Sequence, residues 1–386
     1  MRIGVNTRLL LEGKLEGIGY FEEQLLQRIT KEHKDDEFVF FFDRRYSKKF
    51  VFSSNVKPVV IALPTRLPIL WKIYFDYLLP IYCKIYKIDV FFSPENYIPK
   101  IKSIPIISTV HDLNFIHNPN YIGNKSHRKY FVKYFPKFIK RSDEIITVSN
   151  FSKNDIISLS KELKVDKEEL SNKIDVVYNA ANTIYQPQTT ETNNQTKQRY
   201  SEGKDYFYFV GAIHKRKNLT NLFNAFDVFK DKTQADVKLI IIGNKKWWHG
   251  EIEDSYNQMR HKYDVVFTGR LDAKQVCLIA SASIGLVFVS LFEGFGIPIV
   301  EAFQTKTPVI TSNTTSMPEV ADKAAIIVDP YDVNQISDAM ISLYSNKELR
   351  ENLINQAIER NKYFSWEKSS NKLWTIINNT AKKKKK

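Results

Sequence analysis

Glu293-Gly-Phe-Gly-Ile-Pro-Ile-Val-Glu301 sets two carboxylates eight positions apart, with a glycine-rich turn and a helix start between them. The apolar run before it, Ile284 to Val289 (IGLVFV), reads as a buried parallel strand. Pro298 suits the first turn of a helix, where its missing N–H costs nothing. The order is therefore strand, turn, helix. That order puts Glu293 at the carboxyl end of a strand, the edge at which open α/β sheets bind ligands. Gly294 and Gly296 let the backbone approach a ligand, and the amides of a helix start point at it. Glu301, one turn into the helix, can face the same crevice. Taken alone, an E-x7-E pair is more often an ordinary turn with one solvated glutamate and one on a helix face.

The segments on either side repeat the same alternation. Strands are expected at Ile3–Leu9, Phe38–Phe42, Val59–Leu63, Val90–Phe92, Ile104–Val110, Glu144–Val148 and Ile174–Tyr178, with amphipathic stretches between them. Gln186 to Lys204 is almost devoid of apolar residues and reads as a linker or exposed loop. The alternation then restarts at Tyr206–Gly211, Val237–Gly243, Val265–Thr268, Ile284–Val289, Val309–Thr311 and Ala325–Val328. Two parallel sheets in tandem imply two Rossmann-like domains facing each other.

Bulk properties narrow the class. A chain of 386 residues with 43% hydrophobic residues is long enough for two full cores. Cys83 and Cys277 lie far apart and outside any metal-ligand spacing, as expected of reduced thiols in the cytoplasm. The opening MRIGVNTRLL reads as a strand rather than a signal peptide, and no apolar run is long enough to span a membrane. Net charge is +14: residues 1–190 hold +8, and Lys382 to Lys386 supply five of the +6 in the remainder. The basic first half points toward an anionic surface or acceptor.

Other strand ends carry chemistry. Phe209-Val-Gly-Ala-Ile-His-Lys-Arg-Lys-Asn-Leu219 puts Arg216 and Lys217 after a strand, before a helix whose buried face is Leu219, Leu222, Phe223 and Phe226. Such cations can hold an anionic group at the strand end; a solvated basic turn is the alternative. Glu16-Gly-Ile-Gly-Tyr-Phe21 is an incomplete glycine fingerprint, either a loop wrapping a diphosphate with backbone amides or a plain tight turn. His111, in Thr109-Val-His-Asp112, ends an apolar strand. In Ile145-Ile-Thr-Val-Ser-Asn-Phe-Ser-Lys153, Asn150 or Ser152 is expected to cap the helix and Ser149 to face the crevice. There is no Asp-x-Asp triplet placed for a diphosphate-bound metal, no H-E-x-x-H and no Ser/His/Asp set, so no metal or cofactor is expected.

The stretch SLFEGFGIPIVEAF, continued by TPVITSNTTSMPEVADKAAIIVDPYD, closely resembles the donor-site signature of the retaining glycosyltransferases of family 4, which have the GT-B architecture. The resemblance covers nearly the whole chain and is most specific in the C-terminal half. It implies two Rossmann-like domains with parallel sheets facing an interdomain cleft. The corresponding divisions are an acceptor-side domain over 1–183, a linker over 184–204, a nucleotide-sugar domain over 205–362, a helix over 363–380 that packs back on the first domain, and a basic tail over 381–386. It implies that Glu293 and His111 are catalytic, Glu293 facing the transferred sugar and His111 contacting it, with Asp112 positioning His111. It assigns donor binding to Gly17, Gly19, Arg216, Lys217, Phe295, Gly296, Ile297 and Glu301, with Glu301 on the ribose hydroxyls. The donor is then held between the cation pair on one side and the two carboxylates on the other. Thr315 and Glu319 read as supporting structure. This chain departs from the family where Ala212 replaces an arginine, Ala180 replaces the glycine after Asn179, and Lys306 replaces a glycine before Thr307-Pro308. The Lys306 change is expected to alter the local turn.

The function implied is transfer of a hexose (mannose, glucose or an N-acetylhexosamine) from a nucleotide-diphosphate donor to a hydroxyl of a glycan or lipid-linked acceptor. Cell-surface polysaccharide synthesis is the setting. A nucleotide-sugar epimerase or phosphorylase on the same fold is the nearest alternative. A non-catalytic basic adaptor is the alternative from another class, although no nucleic-acid motif is present and nucleic acid is not an expected partner. Tyr121 to Arg141 holds seven basic and no acidic residues among Tyr130, Phe131, Tyr134, Phe135 and Phe138, with Pro136 expected to break or kink the helix. Leu67 to Lys87 mixes Trp71, Tyr74, Phe75, Tyr77, Tyr82 and Tyr86 with lysines. Both segments read either as core helices with solvated lysines or as elements lying on an anionic membrane at the inner face of the cell membrane.

Overall fold

The computed structural model describes residues 1–383 apart from 14, 16, 66, 122–124, 246, 247 and 249. Glu16 of the glycine motif and 384–386 of the basic tail therefore lie outside the described residues. The chain forms two compact units, Met1–Asn179 with Ser365–Lys386, and Ala180–Phe364.

The first unit is built on seven parallel strands: β1 (Arg2–Asn6), β2 (Glu37–Phe42), β3 (Val56–Val60), β4 (Val90–Ser93), β5 (Ile106–Val110), β6 (Glu144–Thr147) and β7 (Ile174–Val176). Their order is β3-β2-β1-β4-β5-β6-β7, so the winding reverses between β1 and β4. β4, β5 and β6 are buried along their whole length, as expected of parallel strands covered by helices on both faces. The C-terminal helix Trp366–Lys383 belongs to this unit and lies against the helix Gly17–Glu32, with Trp366 edge-on to Phe21 and Trp374 stacked on His33.

The second unit repeats the plan with β8 (Asp205–Val210), β9 (Val237–Ile242), β10 (Val265–Gly269), β11 (Gly285–Phe288), β12 (Val309–Ser312) and β13 (Ile326–Val328), ordered β10-β9-β8-β11-β12-β13 and all parallel. The reversal falls between β8 and β11. In the helix Leu219–Thr233, the face formed by Leu219, Leu222, Phe223 and Phe226 is buried, as its spacing predicts.

Four local expectations are corrected. The polar stretch read as a linker contains the helix Thr190–Ser201, capped by Thr189 and packed on the helix Ala273–Ala282. Thr196 and Ser201 can be buried because their hydroxyls donate to the carbonyls four residues back, of Thr192 and Lys197. Pro136 does not break the helix Lys125–Arg141. Phe135, Phe138 and Ile139 are buried on either side of it, and the carbonyl it leaves unbonded belongs to Val132, a half-exposed residue within reach of water. The helix Asn150–Ser158 is capped by Ser149, whose Oγ accepts from the Ser152 amide at 3.0 Å, rather than by Asn150 or Ser152. Gly17 and Gly19 form the first turn of a helix, not a loose loop. A Cβ at Gly19 would lie 2.8 Å from the Leu9 carbonyl oxygen, so close packing is what requires glycine there.

Candidate functional site

The reversal between β8 and β11 determines what meets in the second unit. At such a point the segments leaving two adjacent strands turn to opposite faces and open a crevice at the sheet edge. After β8, His214 Nδ1 accepts from the Arg216 amide at 3.2 Å and starts a tight turn over Lys215–Lys217, which Asn218 ends in the left-handed region at φ +59°. After β11, the chain is tied to this turn: the Leu291 amide donates to the Arg216 carbonyl at 2.7 Å, and Asn218 Nδ2 donates to the Val289 carbonyl at 3.1 Å.

Arg216, Lys217 and Glu293 converge there. Arg216 Nη1 lies 2.7 Å from Glu293 Oε2, and Lys217 Nζ lies 2.6 Å from Glu293 Oε1. Glu293 and Lys217 are each only 7% exposed. The Lys217 ammonium also sits 4.7 Å from the centre of the Phe288 ring. The Glu293 backbone is held on both sides, its amide donating to Thr315 Oγ1 at 3.2 Å and its carbonyl accepting from Ser316 Oγ at 2.9 Å. Burial pushes the Glu293 carboxyl upward, but the charges and hydrogen bonds of Arg216 and Lys217 outweigh it and hold the carboxyl at about 2. The expected opposition of cations and carboxylates is thus corrected: Glu293 lies between the two cations and engages both.

Glu301 has the opposite electrostatic character. It lies on the helix Ile297–Gln304, with no cation among the described residues paired to it. Burial pushes its carboxyl up to about 7, opposed by a hydrogen bond from Tyr185. The two glutamates of the motif are therefore one firmly ionised group and one poised near neutrality. Gly296, at φ +98°, turns the chain into this helix, and Phe295 is buried edge-on to Phe364. The Ile297 amide, at the first position of the helix, has no intrahelical acceptor by construction, whereas the Ile299 amide donates to the Gly296 carbonyl at 3.0 Å. Lys306 occupies the left-handed region at φ +58°, a conformation that favours glycine over a residue with a side chain. Its side chain is exposed.

In the first unit, His111 Nε2 faces the Pro94 carbonyl at 2.8 Å, so Nε2 carries the proton and donates. Burial lowers its pKa, which keeps the ring neutral and makes Nδ1 an acceptor. Asp112 does not hydrogen-bond the ring; its Oδ1 accepts from the Asn114 amide at 3.0 Å. The reversal between β1 and β4 gathers a cluster that the sequence did not reveal. Asn6 Nδ2 donates to Glu95 Oε1 at 2.7 Å, and Arg8 pairs with both Glu95 oxygens. Glu22, wholly buried with neither carboxylate oxygen hydrogen-bonded, is pushed well above the usual range by burial and by Glu95. No short motif links positions 6, 8, 22 and 95. Only their common topological position could have flagged them.

Comparison with known proteins follows this geometry. The model for "Glycosyl transferases group 1" matches residues 190–360, and that for "Glycosyltransferase Family 4" matches residues 28–184. The chain is a family 4 glycosyltransferase of the GT-B type. The first match spans the β8–β11 crevice with its triad, and the second spans most of the β1–β4 unit. Among curated relatives, this glycosyltransferase is 28% identical to the O-antigen chain mannosyltransferase B of Escherichia coli, over 62% of its own length and 63% of the relative's. It is also 28% identical to the O-antigen chain mannosyltransferase RfbU of Salmonella typhimurium, over 57% and 59%. The matched region thus spans less than two thirds of these relatives. The solved structure of Anabaena Alr3699/HepE in complex with UDP and glucose shares the fold with a TM-score of 0.75 at 13% identity, over 98% of this chain and 99% of that one.

Proposed function

We propose that this family 4 glycosyltransferase is a retaining hexosyltransferase. It would move a sugar from a nucleotide-diphosphate donor to a hydroxyl of a glycan or lipid-linked acceptor in cell-surface polysaccharide synthesis. The Arg216–Glu293–Lys217 triad at the β8–β11 reversal carries the reading. One carboxylate between two cations leaves a single net positive charge in a buried setting, which suits an incoming diphosphate. Glu293 is then a positioning residue that keeps both cations aimed, while Arg216 and Lys217 act on the leaving group without a metal or cofactor.

In the reaction the anomeric carbon–phosphate oxygen bond breaks as the acceptor hydroxyl bonds the same face of the sugar. The acceptor's proton passes to the departing phosphate oxygen, giving the glycoside and a nucleoside diphosphate. No enzyme nucleophile is needed. His111 Nδ1 would accept from a hydroxyl of the transferred sugar. The amides at Phe295, Gly296 and Ile297 and at the Gly17–Gly19 helix start would receive phosphate or sugar oxygens, and Glu301 would accept from the ribose hydroxyls. The mannosyltransferase names of the relatives favour mannose as the sugar.

Among the described residues no helix is long and apolar enough to cross a membrane. We place the enzyme in the cytoplasm, peripheral at the inner face of the cell membrane, where a lipid-linked acceptor would be reached. Release of nucleoside diphosphate from a panel of nucleotide sugars, with and without lipid extract, tests the activity. Release should occur with one donor class and fall at least a hundredfold in Glu293→Ala/Glu301→Ala. Absence of release from every donor, or full activity in the double variant, would overturn the reading, and recovery of an epimerised donor would replace transfer by epimerisation.

A further inference from the structure

The helical segment from Pro68 to Ile85 has two unlike faces. Trp71, Tyr74, Phe75 and Leu79 are buried in an aromatic core with Tyr97 and Phe138. On the other side Ile69, Ile73, Tyr77, Ile81 and Ile85 are between 38% and 65% exposed. They recur every four residues. In an α-helix four residues overshoot one turn by about 40°, so such a row winds off its face. Tyr74–Leu78 is a π turn, whose wider coil advances less per residue and takes back part of that drift. The result is an apolar ridge about 24 Å long, with Leu67 exposed at its start. Single exposed isoleucines are ordinary, whereas a row of this length marks an interaction surface.

Its charge surroundings indicate what covers it. Lys72, Lys84 and Lys87 accompany the ridge, and the one acid of the segment, Asp76, faces Arg141 at 3.8 Å. The neighbouring helix Lys125–Arg141 packs on the same core, with the Tyr130 ring 5.3 Å from that of Trp71. It has no acidic residue and exposes Lys129, Lys133, Lys137 and Lys140. A convex apolar ridge beside lysines suits a plane of negative charge over an apolar interior. Two copies of it would bring like charges together.

We propose that this ridge docks the chain on an anionic lipid bilayer, with the isoleucines entering the boundary between headgroups and acyl chains and the lysines facing lipid phosphates. The proposal deepens the peripheral placement given above by naming its element, and it revises the expectation for this segment: Trp71, Tyr74 and Phe75 serve the core, and an aliphatic row serves the membrane.

Flotation of the full chain with phosphatidylglycerol or phosphatidylcholine vesicles at about 0.1 M salt tests it. The protein should float with phosphatidylglycerol and stay behind with phosphatidylcholine. Ile81→Ser/Ile85→Ser and, separately, Lys133→Glu/Lys137→Glu should each bind at least tenfold more weakly, with thermal melting unchanged. Wild-type protein left unbound by phosphatidylglycerol, or ridge variants that bind as well as wild type, would overturn the proposal. So would a dimer in lipid-free solution that the Ile81→Ser/Ile85→Ser variant dissociates, since the ridge would then be covered by a second copy. Nucleotide release is measured on the same samples without vesicles. Release by protein that does not float sinks the ridge alone, and flotation without release sinks the transferase reading alone.

Discussion

Lys217 Nζ lies 2.6 Å from Glu293 Oε1 although 76 positions separate the two residues. Neither side chain reaches far into solvent, and the charges of Arg216 and Lys217 hold the Glu293 carboxylate ionised. Replacing Glu293 by Gln leaves the buried Lys217 ammonium and the partly buried Arg216 guanidinium facing a neutral amide. We expect a loss of about 3 kcal/mol in stability, measured by urea unfolding at pH 7, because a broken buried pair leaves uncompensated charge.

The same pair sets a limit at low pH. The Glu293 carboxyl titrates at about 2 in the folded chain against 4.5 ordinarily. Its stabilisation is therefore fully present above pH 4.5 and is lost as pH falls toward 2, amounting to about 3 kcal/mol. Urea midpoints measured between pH 6 and pH 3 should fall more steeply for the wild type than for Glu293→Gln.

Glu301 works in the other direction. Its carboxyl is held at about 7, above the ordinary 4.5, so the stability linked to its proton is present below pH 4.5 and is lost as pH rises through 7. Ribose hydroxyls donate to the ionised form. Calorimetric affinity for the nucleotide sugar should therefore rise between pH 6 and pH 8 and then level off. Glu301→Gln should abolish the rise. Tyr185→Phe should move it to higher pH, because the Tyr185 bond opposes the upward push of burial. A flat profile in the wild type would separate Glu301 from the ribose.

Lys306 bears strain that glycine would not, since a left-handed backbone costs a side-chain-bearing residue about 1 kcal/mol. Lys306→Gly should raise stability by about 0.5–1 kcal/mol, a melting shift of about 2–4 °C in a unit of this size. Donor affinity should not change, as the exposed side chain is not part of the triad.

Gly17 and Gly19 should respond oppositely to the same change. A Cβ at Gly19 meets the Leu9 carbonyl at 2.8 Å, so Gly19→Ala should cost about 1–3 kcal/mol. A Cβ at Gly17 meets nothing within 4 Å, and Gly17→Ala in a helical position should be neutral or stabilising by up to about 1 kcal/mol. Thermal melting of the two variants checks both.

The sequence alone determined most of the strands, since a buried parallel strand reads as an unbroken apolar run, but the third, expected at Val59–Leu63, lies at Val56–Val60, where Lys57 and Pro58 interrupt the run, and the apolar run Tyr77–Cys83 is helical instead. It also placed Arg216, Lys217 and Glu293 after strands, because the strand–turn–helix order leaves only one edge for them. It could not show that the three touch, because their meeting depends on β8 and β11 becoming neighbours, which is a property of strand order and not of spacing along the chain. The cluster of Asn6, Arg8, Glu22 and Glu95 stayed hidden for the same reason. The helix Thr190–Ser201 escaped because its buried residues are hydroxyls that satisfy themselves on the backbone, leaving no apolar period to read. Which residues of Pro68–Ile85 face water was likewise a tertiary decision. An aromatic and an isoleucine are equally apolar in sequence, and only the packing of Trp71, Tyr74 and Phe75 into the core turned the isoleucine row outward.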